Sequence, residues 1–251
     1  MSFEEPTVPL HQKARIEKPK MYPNRFAVPD DKVDWSADYP EYDPPYFVAP
    51  AVLDNNRDEK KGGQADPEVF NPMKEVLTSY EGNIQFDNRG LPINPRGRTG
   101  MRGRGVLRKW GPNFAADPII TRTNSHTGKF EMLAIRRRDN GQWAIPGGMV
   151  DAGESVSKTL ARELEEETGV KLDWRNAKTV YEGYVDDPRN TDNAWMETSV
   201  AHMHLESGVA DKLKAQAGDD AAAVGWHEVN DEFLNSMYAS HGNFVRMALG
   251  K

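Results

Sequence analysis

A chain of 251 residues can hold one large domain or two small ones, and a hydrophobic content of 37% is a modest supply for a core, so part of it should run extended or exposed. The net charge of −7 argues against a general nucleic-acid surface, and the absence of cysteine excludes disulfides and thiolate metal sites and fits a reducing compartment. No apolar run approaches the length of a membrane span, and MSFEEPTVPL has neither the apolar core of a signal peptide nor an Arg-rich amphipathic start. A cytoplasmic location and a chain that does not itself insert into a membrane are therefore expected.

Residues 1–20 are polar and read as a mobile tail whose removal should be nearly silent. From Met21 to Leu53 the prolines Pro23, Pro29, Pro40, Pro44, Pro45 and Pro50 are too many for long helices or central strands, and Trp35, Tyr39, Tyr42, Tyr46 and Phe47 are interleaved with them. Such a segment wraps a neighbour more readily than it folds alone. Asn55 to Gly63 reads as a charged linker, and residues 64–95 as a small appended piece with a turn at Asn88-Arg89-Gly90. This divides the chain into a tail (1–20), an N-terminal α+β unit (21–95) and a larger α/β domain (96–251).

From Ala115 onward strands alternate with helices. Pro118 to Arg122 and Phe130 to Arg138 flank a turn at His126-Thr127-Gly128-Lys129, and Asn140-Gly141 makes a second turn before Trp143 to Ile145. Thr179 to Val185, Trp195 to Leu205 and Val224 to Val229 read as further strands. Val209 to Ala217 reads as a helix, and Asp231 to Leu249 as one or two more. A mixed sheet with helices on both faces follows.

The segment Gly147 to Val170, GGMVDAGESVSKTLARELEEETGV, carries the chemistry. Ser155 to Thr168 contains no Gly or Pro, and Val156, Leu160 and Leu164 form one apolar stripe of a helix. Glu163, Glu166 and Glu167 fall at i, i+3 and i+4 and gather on a neighbouring face. Like charges so packed on a helix facing a cleft are stable around a divalent cation, and hard oxygen ligands suit Mg²⁺ or Mn²⁺ together with substrate phosphates. Taken alone, an acidic helix face is most often only a solvated one. Arg162 can orient a carboxylate, and Gly147, Gly148 and Gly153 let the preceding loop bend back. Complete spacing changes the balance: Gly148, Glu154, Arg162-Glu163-Leu164, Glu166-Glu167 and Gly169-Val170 resemble, without a missing position, the signature G-x5-E-x7-R-E-U-x-E-E-x-G-U of the Nudix hydrolases (U aliphatic).

That resemblance implies an α/β/α sandwich and hydrolysis of a nucleoside diphosphate linked to another group. Three further stretches, Asn94 to Asn113, YVDDPRNTDNAWMET (Tyr184 to Thr198) and YASH (Tyr238 to His241), resemble the mitochondrial-type ADP-ribose pyrophosphatases and the homologous C-terminal domain of ADP-ribose-gated melastatin-type channels. The resemblance implies ADP-ribose as substrate and AMP and ribose 5-phosphate as products, with the N-terminal unit forming one wall of a cleft and the Nudix unit the other. It implies Glu163, Glu166 and Glu167, with the Gly148 carbonyl, as metal ligands, and Glu166 with Glu163 and Arg162 as the catalytic group. Glu166 is the first choice of general base, with Glu197, Asp219 and Asp220 as alternatives outside the signature. Asp187, Arg189, Tyr238 and His241 are implied as the grip on the terminal ribose and phosphates, with the chemistry of a carboxylate for hydroxyls and a guanidinium for phosphate oxygens.

The Gly-spaced basic run Arg96, Arg98, Arg102, Arg104 and Arg108 has two open readings: phosphate recognition, or pairing with acidic residues such as Asp30, Asp31, Asp34, Asp38 and Glu41. A binding module is the rival function, an ADP-ribose sensor joined to the remainder of a channel polypeptide. Decay of the signature would mark it, and the signature here is intact.

Overall fold

The computed structural model describes residues 10–56, 65–71, 77–138, 140–151, 154–174, 177–206, 210 and 221–250. The chain forms two compact units, Met1–Asn113 with Asp186–Met196, and Phe114–Val185 with Glu197–Lys251. The division falls at Asn113 rather than at residue 95, and the polar loop from Asp186 belongs to the first unit.

The first unit has little regular structure, as its prolines require. It contains α1 (Lys13–Ile16), β1 (Tyr46–Val48), α2 (Pro50–Asn56) and β2 (Arg102–Gly105), with β1 and β2 paired in parallel. Residues 10–20 are not a tail: Ala14 is fully buried, and the buried His11 ring donates from Nε2 to the Arg98 carbonyl at 3.0 Å. An alanine methyl and a neutral imidazole give this polar-looking segment enough to bury. Burial pulls the His11 ring down to about 4, so it is neutral. The charged linker read at Asn55 to Gly63 starts inside α2; 57–63 lies outside the described residues.

The arginines of the basic run have mostly structural partners. Arg98 donates to the carbonyls of Lys32, Asp34, Trp35 and Ala37 at 2.6–3.3 Å and lies over the rings of Trp35, Tyr39 and Tyr42. Arg104, fully buried, donates to the carbonyls of Asp66 and Arg108 and sits over Trp110. Arg102 pairs with Asp43, and Arg96 with Glu81. Carbonyl oxygens, more than the acidic residues Asp30, Asp31, Asp34, Asp38 and Glu41, receive this charge.

The second unit is built on β3 (Gly111–Thr123) from Phe114 onward, β4 (Phe130–Arg137), β5 (Trp143–Ala144), β6 (Gly148–Met149), β7 (Lys178–Tyr184), β8 (Ala194–Leu205) from Glu197 onward and β9 (Ala221–Glu228). The sheet runs β5-β4-β3-β8-β7, with β6 on β3 and β9 on β4. Its helices are α3 (Val156–Thr168), α4 (Asp231–Ser236) and α5 (His241–Ala248). Alternation along the strands decides the layers. Ile120, Leu133 and Ala201 pack with Leu160 and Leu164 of α3, whereas their neighbours Ile119, Met132 and Val200 pack with Leu234 of α4 and Phe244 and Val245 of α5. The result is an α/β/α sandwich. The helix expected over Val209 to Ala217 lies outside the described residues apart from Ala210.

Candidate active site

The signature segment starts as a short strand and ends as a helix. Gly148 and Met149 pair with Ala116 and Ala115 of β3, which fixes the loop against the sheet. A Cβ at Gly148 would meet the Glu163 carboxyl carbon at 2.5 Å, so this position must be glycine for the helix carboxylate to reach the loop. After α3, Gly169 stands at φ 69° and its N–H returns to the Glu165 carbonyl, a left-handed helix stop that glycine alone adopts without strain. Two glycines of one motif thus have different reasons, one proximity and one backbone conformation.

Arg162 organises the acidic side chains. Its Nε and Nη2 donate to the two oxygens of Glu154 at 3.1 and 2.9 Å, Nη1 donates to Glu163 at 2.8 Å and Glu166 at 3.1 Å, and Nη2 also donates to the Met149 carbonyl at 3.2 Å. The Arg162 guanidinium holds the Glu154 carboxyl down at about 2, assisted by the Thr159 hydroxyl at 2.8 Å. Burial pushes Glu163 up despite Arg162. Burial pushes Glu167 up to about 8, against the Gly147 N–H that donates to it at 2.8 Å. Glu166 is the most open of the three, with a side chain 59% exposed.

This donor set suits a divalent cation. Two carboxylates raised by burial gain most from a nearby positive charge, and all the ligating atoms are hard oxygens. The cage is not preformed: among the described residues no three acidic or histidine side chains converge closely enough to hold an ion unaided.

Asp117 lies beside the signature segment and is not among the residues that the sequence singles out. It is 8% exposed on β3, accepts from the Thr198 hydroxyl at 2.5 Å, and stands where a Cβ on Gly147 would meet its Oδ1 at 2.5 Å. Its charge also adds to the rise at Glu167. The available signal was one acid within the otherwise apolar run from Phe114 to Ile120. Among the alternative bases, Glu197 is fully buried on β8, and Asp219 and Asp220 lie outside the described residues.

Tyr238 and His241 occupy the break between α4 and α5. Ala239 at φ 48° is the single non-glycine with positive φ among the described residues, and it turns the chain so that the Tyr238 and His241 rings meet edge-on at 5.5 Å. The Ile145 N–H donates to His241 Nδ1 at 2.9 Å, which fixes the neutral ring with its proton on Nε2. Arg137 lies 4.3 Å from the centre of the Tyr238 ring.

In the first unit, Arg189 donates from Nε and Nη2 to the two oxygens of Asp187 at 2.8 and 2.7 Å, and its backbone N–H reaches Asp187 Oδ1 at 2.8 Å. Asp187 and Arg189 are therefore one rigid pair rather than two separate contacts. A cleft of about 540 Å³ within this unit, lined by Trp35, Glu81, Asn94, Arg96 and Trp195 among others, includes neither of them. Its volume alone gives it no claim to the chemistry.

A loop-to-helix turn with a glycine held against a carboxylate and an arginine gathering three glutamates stand on one face of the sandwich, and similarity to known proteins gives them a family. Residues 113–248 match the NUDIX domain, and residues 28–111 match the NUDT9-like, N-terminal domain. The chain belongs to the Nudix hydrolase family. It is 47% identical to nudix hydrolase 6 of Caenorhabditis elegans, over 94% of this chain and 95% of that protein. It is 40% identical to the mitochondrial ADP-ribose pyrophosphatase of Rattus norvegicus, over 96% of this chain and 78% of that one. It is 42% identical to the transient receptor potential cation channel subfamily M member-like 2 of Nematostella vectensis, over 92% of this chain but only 17% of the channel. No helix among the described residues is long and apolar enough to cross a membrane.

Proposed function

We propose that the chain hydrolyses ADP-ribose to AMP and ribose 5-phosphate with Mg²⁺, in a cytosolic compartment. The observation that carries this is the coexistence of a complete signature with a NUDT9-like N-terminal domain, over nearly the whole length shared with a relative named for ADP-ribose pyrophosphatase activity.

Glu163, Glu166 and Glu167, with the Gly148 carbonyl, are the residues to hold the ion. When bound it would neutralise the pyrophosphate and lower the pKa of the attacking water. Arg162 sets the directions of Glu163 and Glu166. The exposed Glu166 is the general base in this reading, and the buried Glu167 must give up its proton before it can act as a ligand. Asp187 and Arg189 read the terminal ribose and its phosphate, with His241 offering its Nε2 proton and Tyr238 its hydroxyl.

The test is product analysis on a panel of ADP-ribose, NADH, coenzyme A, capped RNA and ADP with Mg²⁺ and with Mn²⁺. AMP and ribose 5-phosphate should be released from ADP-ribose at a rate well above every other member of the panel, and a faster cleavage of NADH or coenzyme A would refute the proposal. The channel similarity favours a second reading, an ADP-ribose sensor domain that binds without turnover. Tight binding of ADP-ribose with no product in the same assay would establish it. The intact Arg162-Glu163 and Glu166-Glu167 pairs favour the enzyme.

A further inference from the structure

The loop carrying Asp187 and Arg189 is fixed by residues 12–25, a stretch that straddles the expected tail (1–20) and the start of the Pro-rich segment. The carboxylate of Asp186 accepts from the backbone N–H groups of Gln12, Lys13 and Ala14 at 2.8, 3.0 and 2.9 Å, which caps α1 with a side chain 172 residues or more distant in sequence. The first four N–H groups of any helix lack an internal partner, so one carboxylate here satisfies three donors at once. Next in the loop, the Arg25 guanidinium donates from Nη2 to the carbonyls of Pro188 and Asn190 at 2.7 and 3.0 Å. The Tyr22 hydroxyl donates to the carbonyl of Arg189 at 2.8 Å while accepting from the Val106 N–H at 2.9 Å. Three consecutive carbonyls, of residues 188, 189 and 190, and the carboxylate of residue 186 are thus all held by residues 12 to 25.

The anchors are themselves held. Tyr22 is buried, and a Cβ at Gly105 would collide with its hydroxyl, so the phenol fits only because that residue is glycine. Arg25 also donates from Nε to the Glu17 carbonyl at 2.9 Å. Arg15 joins α1 to the rest of the segment through the His11 and Val28 carbonyls and an ion pair with Asp30 at 2.7 Å. The far end of the loop is fastened by other residues: Asp192 accepts from the Thr99 N–H and hydroxyl and from the Tyr42 hydroxyl at 2.7–2.8 Å. Asp187 and Arg189 sit between two clamps, and Arg25 reaches both, since its Nη1 also donates to the Thr99 carbonyl at 3.3 Å.

We infer that Asp186, Tyr22 and Arg25 are positioning residues that set the Asp187–Arg189 pair for the terminal ribose, so that residues 10–25 tune substrate affinity without touching the metal-binding carboxylates. This rests on the reading of Asp187 and Arg189 as the ribose grip. Misplacement of a binding group by a fraction of an ångström to an ångström costs affinity out of proportion to the stability lost, because the contact is directional.

The experiment compares Asp186→Asn, Tyr22→Phe, Arg25→Ala, Arg25→Lys and a chain lacking residues 1–20 with the unaltered protein. KM for ADP-ribose should rise by roughly ten- to a hundred-fold in Arg25→Ala and in the truncated chain, while kcat changes little. The inhibition constant of ADP, which has no terminal ribose, should stay within about two-fold, and Arg25→Lys should recover part of the loss. Amide exchange at Arg189 and Asn190 should accelerate in Asp186→Asn and Arg25→Ala, but not at Leu91, whose N–H donates to Asp87 and involves none of these anchors. Unchanged KM together with unchanged loop exchange would overturn the inference, as would a fall in kcat matched for ADP-ribose and ADP. If the loop exchange accelerates but the unaltered protein has no turnover of ADP-ribose, the positioning stands and the proposed substrate fails.

Discussion

Charged side chains crowd both the stretch from Arg96 to Arg108 and that from Glu154 to Glu167, yet they meet different partners. In the second unit the charges face one another: Arg162 gathers Glu154, Glu163 and Glu166 around a glycine that leaves room for a carboxylate. In the first unit Arg98 and Arg104 are directed at backbone carbonyls and aromatic faces. A fold poor in helices and strands leaves many carbonyls without ladder partners, and guanidinium groups can satisfy several each. Charge patterning in the second unit serves chemistry, while in the first it substitutes for secondary structure.

The largest effect should come from the second unit. Glu166→Gln and Glu167→Gln each remove a carboxylate ligand from the proposed metal cluster and should lower kcat by on the order of 10²–10⁴, with the melting temperature little changed. Rates above half of the original in both variants would mean that the cluster faces solvent rather than substrate. In the first unit the corresponding loss should appear in stability. Arg98→Ala leaves four carbonyl acceptors without their donor inside the unit and should cost about 3 kcal/mol or more in denaturant unfolding. Arg102→Ala, which removes one bond to the Pro44 carbonyl and a half-exposed pair with Asp43, should cost about 1 kcal/mol. Equal costs would break the comparison between a buried arginine with four carbonyl partners and a half-exposed one with a single carbonyl partner.

One substitution in the first unit should affect binding instead. Arg189→Ala should weaken ADP-ribose by roughly 1.5–3 kcal/mol, the scale of a hydrogen bond to a charged group, with ADP little affected. Because Arg189 and Asp187 form one bidentate pair, Asp187→Asn should reproduce most of that loss and the double variant should add little to it. Additive losses, measured by calorimetry in a double-mutant cycle, would show two independent contacts.

How far the sequence revealed this differs between the units for a physical reason. The signature was legible because each of its positions acts through local spacing: i, i+3 and i+4 carboxylates share a helix face, and Gly169 ends the helix where a left-handed residue is needed. The layers were legible from strands alternating with helices, and in the structure the adjacent Ile119 and Ile120 pack with the helices of opposite layers. Asp117 was not legible, because its approach to Gly147 is made by a strand separated from that loop by nearly thirty residues. Nor was the end of the first unit at Asn113, or the membership of Asp186–Met196 in it, since side chain to backbone bonds such as Asn193 to Pro92 or Thr99 to Asp192 leave no periodic trace. The density of Asp, Asn and Thr in DDPRNTDN was the one hint, since those side chains bond backbone groups readily.

The last expected effect concerns pH and returns to residues 10–20, where a tail predicts none at all. His11 is buried, and its Nε2 proton is donated to the Arg98 carbonyl. Burial holds the folded ring at about 4, below its ordinary 6.5. With the folded pKa depressed, the unfolded chain takes up the proton first as the solution is acidified. The contribution of His11 is therefore intact above pH 6.5 and is lost as pH falls toward 4, amounting to about 2 kcal/mol by pH 5. His11→Gln keeps an N–H for the Arg98 carbonyl but has no proton to gain. Unfolding free energies of the two proteins should then converge between pH 7.5 and pH 5, with the unaltered chain falling by the larger amount. Parallel pH profiles for His11→Gln and the unaltered chain would mean that the imidazole is solvated in both states, and that the segment does not stay packed in solution.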